Sequence, residues 1–452
     1  MHSYKYYREI LLSINIGSSQ STLDFSPNHD SISTVSINDF YEIPTHMEVK
    51  PLDRTNLIER SVKRPWYLLA VIVIAQFAGT SLWFAGNAII ADLSESFHLT
   101  SGAVGDLTAS VQFGFIGGTL CFAILAIADR ISPRTVFLAC AILGAFFNLM
   151  IYLAPLGYFS LLAYRLLTGF FLAGIYPVGM KIAADWYEDK LGHTLGFLVG
   201  ALVVGTGFPH LVKSIGVGLP WQTVLLVVSS VAALGGILLF CLIKDGPYRK
   251  TSKKFKASDF LQIFAIKDFR SAAFGYFGHM WELYAFWTFV PALLLRYVER
   301  QPGTHINSPL WTFLIIASGF FGCAIGGILS IKIGSTRVAF IQLLISGLCC
   351  IFVLVLYQFH VIIFLTFLLL WGVTVVGDSP QYSTLVARTA PKELTGTALT
   401  ITNCIGFSIT IVSIQLIKYL NIAGTIERAM IWLAIGPMIG LVSIFRLMPK
   451  RI

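Results

Sequence analysis

The sequence predicts an all-α membrane protein, with twelve transmembrane helices arranged as two pseudo-symmetric six-helix bundles. Three observations carry that prediction. Of 452 residues, 56% are hydrophobic and only 12% are charged, whereas a soluble domain carries about 25% charged residues. With 35 Phe and a mean hydropathy of +0.76, the chain has too few charges to solvate a surface around so much apolar mass. From Trp66 onward the apolar residues fall into twelve runs of about 18–26 residues, the length that crosses about 30 Å of hydrocarbon as helix. The longest internal loop then divides those runs six and six, and the two sets echo each other.

Taken in order, residues 1–64 stand apart: rich in Ser, Asn, Asp, Glu and Pro, with no sustained apolar period. Ile10-Leu11-Leu12 is too short for the core of a secretory signal, so the segment reads as a flexible cytosolic tail, within which Met47 offers an alternative start. Spans 1 to 6 are expected at 66–90, 103–128, 135–154, 158–181, 191–212 and 220–243, forming a first bundle over 65–243. A basic cytosolic linker, 244–269, follows. Spans 7 to 12 are expected at 270–295, 309–331, 338–357, 360–386, 395–417 and 425–447, forming a second bundle over 270–447, with a cytosolic end at 448–452.

Charge placement sets the expected orientation. Arg130, Arg134, Lys181, Lys190, Lys332, Arg337, Arg388, Lys392 and the cluster from Lys244 to Arg270 occupy one set of loops, while the opposite set holds only Lys213, Arg296, Arg300 and Lys418. By the positive-inside rule both termini face the cytoplasm, and the chain is expected in the cytoplasmic (plasma) membrane. The same placement explains the net charge of +9 without nucleic acid. The seven cysteines lie in apolar runs with no CxxC or Cys/His spacing, so they read as packing residues, with no metal site and no disulfide framework.

The internal echo is colinear. Arg165-Leu-Leu-Thr-Gly169 through Gly174-Ile-Tyr-Pro177 matches Leu368-Leu-Leu-Trp-Gly372 through Gly377-Asp-Ser-Pro380. Gly117-Gly118 of span 2 matches Gly326-Gly327 of span 8, and Trp83 of span 1 matches Trp287 of span 7. Repetition of a six-helix unit marks a transporter that rocks two halves about a central site.

After span 2 comes Leu125-Ala-Ile-Ala-Asp129-Arg130-Ile-Ser-Pro-Arg134, and after span 8 Gly327-Ile-Leu-Ser-Ile-Lys332-Ile-Gly334-Ser-Thr-Arg337. These resemble the signature loop G-x-L-A-D-R-x-G-R-K of the major facilitator superfamily, each copy keeping elements the other has lost. Arg165-x-x-x-Gly169-x-x-x-Ala173-Gly174 in span 4 resembles that family's second motif; Gly205-Thr-Gly207-Phe-Pro209 in span 5 is only a loose relative of its antiporter motif. The resemblance covers roughly 66–447. It implies that Asp129, Arg130, Arg134 and Lys332 gate rather than bind substrate, and that spans 1, 4, 7 and 10 line a central cavity. Asp129 would pair with a cytoplasmic basic residue and lock one conformation; a solvated, positive-inside turn is the plainer alternative.

Polar groups inside hydrocarbon cost several kcal/mol and are functional suspects. Arg165, His279, Glu282 and Asp378 lie on spans 4, 7 and 10, and Gln76, Thr80, Ser81 and Asn87 on span 1; His210 lies toward the end of span 5. At about 1.5 Å per residue, Arg165 and Glu282 reach similar depths, about 10 and 12 Å below the outer face. Two arrangements fit: the pair meets across the cavity, or Arg165 is held locally by a carbonyl or a nearby tyrosine. His279 and Glu282 share one helical face, which suits proton coupling or simple fixing of the Glu282 rotamer. Asp378, beside Pro380 near the inner end of span 10, is expected in an inner gate. Trp83, Phe84, Tyr276, Trp281, Tyr284, Phe286 and Trp287 crowd the same region and suit stacking on an organic solute, though each taken singly is an ordinary lipid-facing or packing residue.

No P-loop is present, so ATP does not drive this chain, and no HExxH, GxSxG or paired-Asp motif suggests an enzyme. The expected function is secondary active transport of a small organic solute, with an anion favoured by Arg165 and protons as the coupling ion. No cofactor is called for; the partners are the solute, protons and the bilayer, with the monomer as the working unit. The rivals are a multidrug/proton antiporter, needing no specific anion site, and a non-transporting receptor on the same scaffold. Arginines within spans 2 and 8, which nitrate transporters of the family use, are absent.

Overall fold

The computed structural model describes residues 65–99, 102–153, 157–187, 191–216, 218–249, 257–421 and 424–448. The tail at 1–64, Lys190 and the last residues lie outside these. Among the described residues every regular element is a helix. Ten helical segments are long and apolar enough to cross a membrane: Ala103–Ile124, Pro133–Leu153, Tyr158–Trp186, Thr194–Ile215, Gln222–Leu242, Ser308–Ile333, Ser335–Leu356, Val361–Thr389, Lys392–Leu420 and Ile426–Phe445. They occupy the places of spans 2 to 6 and 8 to 12.

Spans 1 and 7 are the two that fall short of that standard, each for its own reason. Span 1 is helical over Leu68–Thr80, turns through 81–84, and resumes as Ala85–Ala88 and Ile90–Phe97. The hydroxyls of Thr80 and Ser81 bond back to the carbonyls of Gln76 and Ala78, at 2.8 and 2.6 Å, a competition with the helical ladder that bends helices. Span 7 is one 34-residue helix, Lys267–Arg300. Its ends are charged and its middle holds His279 and Glu282, so its length is ample but its apolarity is not.

Spans 4 and 10 are broken at matched points. Tyr158–Leu172 gives way to Tyr176–Trp186, and Val361–Gly377 gives way to Ser379–Thr389. In both, proline stands at the start of the second piece, where its missing N–H costs nothing but its ring excludes the preceding turn. The echoed Gly174…Pro177 and Gly377…Pro380 are therefore one joint used twice.

Packing also corrects the register of the repeat. Gly169 of span 4 lies on the Val111 carbonyl of span 2, and Gly372 of span 10 lies in the same way on the Ile315 carbonyl of span 8; a Cβ at either would overlap that oxygen. Gly118 then faces the Phe170 carbonyl, and the residue playing its part in the second half is Gly322, facing Val373. Ser318, whose hydroxyl reaches the Leu369 carbonyl at 3.2 Å, stands where Gly114 meets Leu166. The counterpart of Gly118 is thus Gly322, not Gly326 or Gly327. Pairing by identical glycine dipeptides misled because Gly117 and Gly327 face open space and share no packing role.

The linker is partly helical: Ala257–Ala265 forms a short helix ahead of span 7, its Ile263 buried and Leu261 exposed. Outward faces of the spans carry Phe113, Phe159, Phe321, Ile331 and Val442 well exposed, a belt suited to lipid and not to water.

Gly372→Val forces a branched side chain into a backbone contact. It should lower the midpoint of thermal unfolding in detergent by the equivalent of about 1–3 kcal/mol. Gly327→Val, at a glycine facing open space, should stay within about 0.5 kcal/mol. Equal effects by fluorescence-detected thermal size exclusion would contradict the packing scheme.

Candidate functional site

The break in span 1 leaves the carbonyls of Leu82 and Trp83 without helical partners, and Arg165 takes both. Its Nη1 donates to Asn148 Oδ1 at 3.0 Å and to Leu82 O at 3.3 Å, and its Nη2 donates to Leu82 O and Trp83 O. The side chain is fully buried. The planar fork of a guanidinium suits such a set of converging acceptors. Asn148 is itself fixed by donating to Ser229 Oγ at 2.9 Å. Of the two arrangements open to Arg165, the structure therefore shows the local one.

Glu282 is occupied elsewhere. Trp371 Nε1 donates to Glu282 Oε1 at 2.6 Å, Ser346 Oγ donates to its Oε2 at 2.9 Å, and Cys350 Sγ lies 3.3 Å from Oε1. The carboxylate thus fastens span 7 to spans 9 and 10, inside the second half. His279 does not bond it: one turn away, its Nδ1 sits 2.8 Å from Asp378 Oδ1, both groups fully buried. Asp378 lies at the break of span 10, not at its inner end, which runs on to Thr389. Shared helical spacing placed His279 and Glu282 on one face, but the crossing of spans 9 and 10 gives each its own partner.

Around the His279–Asp378 pair stand aromatic rings. Tyr276 and Tyr382 each lie 5.9 Å from the imidazole. Tyr176, at the break of span 4, lies within electrostatic reach of Tyr276 and Tyr284 of span 7. Trp83 and Phe115 of the first half interlock with Tyr284 and Phe407 of the second, at centroid separations of 4.4–5.7 Å. Trp287 packs on Phe84 and Tyr284.

Beyond this aromatic layer spans 2 and 11 are joined by ions. Asp106 accepts from Lys418 Nζ at 2.6 Å and from Gln415 Nε2 at 3.2 Å, both of the second half, and from the Tyr158 hydroxyl of the first. Gly102 and Gly105 admit the aliphatic stem of Lys418. Nothing in the local sequence distinguished Asp106 and Lys418 from ordinary residues at span ends; their pairing is a property of the long-range packing.

At the opposite end the expected gating residues of the first half, Asp129 and Arg134, find their partners there and in the linker. Asp129 pairs with Lys181 at 2.9 Å. Arg249 of the linker donates to the Asp129 and Ile131 carbonyls at 2.8 and 3.0 Å, and Ser132 donates to Asp245 at 2.7 Å. Arg134 reaches toward the Phe240 and Ile243 carbonyls and lies over the Phe240 ring. Arg130 and Lys332 are exposed.

Of the remaining expected residues, Gln76 is buried against Gly179 of span 4 with neither end of its amide bonded. Asn87 donates to Thr108 Oγ1 at 2.8 Å, joining spans 1 and 2. Trp281 donates to the Trp432 carbonyl at 3.2 Å and packs on Gly436 of span 12, away from the rings around His279. Trp371 and Tyr382 were not singled out by the sequence: Trp371 belongs to the echoed segment of span 10, and Tyr382 lies two residues beyond its Pro380. No group of three or more His, Cys, Asp or Glu suited to a metal ion occurs among the described residues.

Comparison with known proteins agrees with this architecture. The sequence profile of the Major Facilitator Superfamily matches residues 68–414. Among solved structures, a bacterial homologue of the human lysosomal transporter Spinster, inward-facing and unoccupied, superposes with a TM-score of 0.63 at 15% identity, over 84% of this chain and 96% of that one. An aspartate-to-alanine mutant of the nucleoside transporter NupG superposes with a TM-score of 0.65 at 14% identity, over 84% of this chain and 100% of that one. No curated protein matches by sequence.

Glu282→Leu removes both acceptor oxygens and leaves the Trp371 indole N–H buried without a partner. It should cost about 1–3 kcal/mol of stability, read as a lowered unfolding midpoint. An unchanged midpoint would show that the cluster of Trp371, Ser346 and Cys350 does not depend on the carboxylate.

Proposed function

Because the chain belongs to the major facilitator superfamily, and is a membrane transporter rather than an enzyme, we propose that it is a proton-coupled secondary active transporter moving a small organic solute by alternating access. The observation that carries the coupling is the buried His279–Asp378 contact at the break of span 10. With one proton shared, the pair is electrically neutral. Without it, a net negative charge remains in a fully buried site that screens it poorly. Gaining or losing that proton thus changes the energy of the enclosed state, the requirement for linking proton movement to rearrangement.

The halves 65–243 and 270–447 are the proposed moving bodies, joined by the linker 244–269. By the positive-inside rule the Asp106 end faces outward and the Asp129 end, with both termini, faces the cytosol. The plasma membrane is the proposed location and the monomer the working unit. The ion pair Asp106–Lys418 and the aromatic layer then close the outer side. The Asp129, Arg130, Arg134 and Lys332 loops would meet when the opposite state forms. Arg165, bonded to carbonyls through both terminal nitrogens, does not support a dedicated anion site, so the solute's charge is not read from it. Multidrug antiport is the rival, separated by the breadth of solutes carried.

Two measurements test this. In proteoliposomes with an imposed pH gradient, Asp378→Asn should abolish gradient-driven uptake while leaving solute exchange; equal loss of both would remove Asp378 from coupling. Lys418→Ala deletes an inter-half ion pair of about 1 kcal/mol, shifting the conformational balance by about fivefold. In a cysteine-free background, spin labels at Arg130→Cys and Lys332→Cys should then gain a shorter distance population. An unchanged distribution would show that Lys418 does not hold this conformation.

A further inference from the structure

Each of the deep charges near the two helix breaks is engaged. Arg165 is held by Leu82, Trp83 and Asn148, Glu282 by Trp371, Ser346 and Cys350, and Asp378 by His279. His210, a further buried histidine, lies toward the Asp106 end of span 5. Besides Arg165 Nε, His279 Nε2 and Asp378 Oδ2, which are buried and unbonded, the capacity left over near the breaks is that of neutral aromatic donors. Trp83 and Trp287 occupy matched places in spans 1 and 7, and each is fully buried with its indole N–H unbonded. Tyr382, beside His279, is fully buried with its hydroxyl unbonded. A buried donor without an acceptor is destabilising, so three of them among stacked rings ask for a ligand that brings acceptors.

Resting on the transporter reading above, we propose that the solute is uncharged, flat and ring-bearing, with acceptor atoms on its edge. Its faces stack on Tyr176, Tyr276 and Tyr284, and its acceptors take the N–H of Trp83 and Trp287 and the O–H of Tyr382. A carboxylate solute would find both terminal nitrogens of Arg165 bonded to Leu82, Trp83 and Asn148, and an organic cation would find Glu282 held by Trp371, Ser346 and Cys350 and Asp378 already paired with His279. Either would cross the site without a counter-charge, at a desolvation cost that a neutral ring avoids. Stacking favours a planar ring of either polarity, so charge and edge acceptors carry the selection.

The test is binding by the purified full-length protein at pH 7, using caffeine as the neutral ring with edge acceptors, benzoate as the anionic ring and benzyltrimethylammonium as the cationic one. Caffeine should bind at least tenfold more tightly than either charged ring. Tyr382→Phe should weaken caffeine about tenfold without lowering the unfolding midpoint of the unliganded protein, because it removes only an unbonded hydroxyl. Failure of caffeine to bind, tighter binding by a charged ring, or unchanged affinity in Tyr382→Phe each overturns the inference. The two readings fail separately: benzoate taken up on a pH gradient sinks this one and keeps coupled transport. Caffeine that binds yet is never moved by a gradient keeps this one and sinks coupled transport.

Discussion

A guanidinium buried among helices must find acceptors inside the chain, because hydrocarbon supplies none and the desolvation of an unpaired charge costs more than most folds can offset. In this protein the acceptors come from a helix that stops. Span 1 gives up its regular ladder after Thr80, and the carbonyls so released converge with Asn148 on Arg165. Span 1 is thereby tied to spans 3 and 4, and Trp83 is turned toward Phe115, Tyr284 and Phe407, where the halves meet. Arginine and break require each other: a straight span 1 would leave the cation bare, and a neutral residue at 165 would leave carbonyls without donors.

The second half resolves the same constraint with opposite chemistry. Leu368 stands where Arg165 would be, and the polar burden passes to span 7, whose Glu282 and His279 grip span 10 at Trp371 and at the break beside Asp378. The two halves share joints and glycine contacts but not electrostatics. Shape has been kept where backbones touch, and charge has diverged where they do not.

Much of the fold could be read from composition and run length, because a span needs only enough apolar residues to cross hydrocarbon. Run length does not show interruptions: spans 4 and 10 read as continuous although Pro177 and Pro380 mark their breaks, and span 1 is interrupted without proline at all. Of the site, the polar residues were identifiable by their rarity, but their partners were not. Arg165 and Glu282 match in depth, yet depth fixes one coordinate and rotation about each helix axis fixes the bond. Asp106 and Lys418 are far apart in sequence, one in each half, and nothing near either one predicts the other.

The division of buried charge between the halves bears on how the membrane potential acts. Two bundles related by an axis along the membrane normal carry equivalent points the same way when they rock. Moving one elementary charge through 100 mV is worth about 2.3 kcal/mol. An arginine in one half and a carboxylate in the other, displaced in the same direction, do electrical work of opposite sign. Under the proposed rocking motion and proton coupling, the empty protein would change state with little net charge crossing the field, leaving voltage to act on the coupled proton.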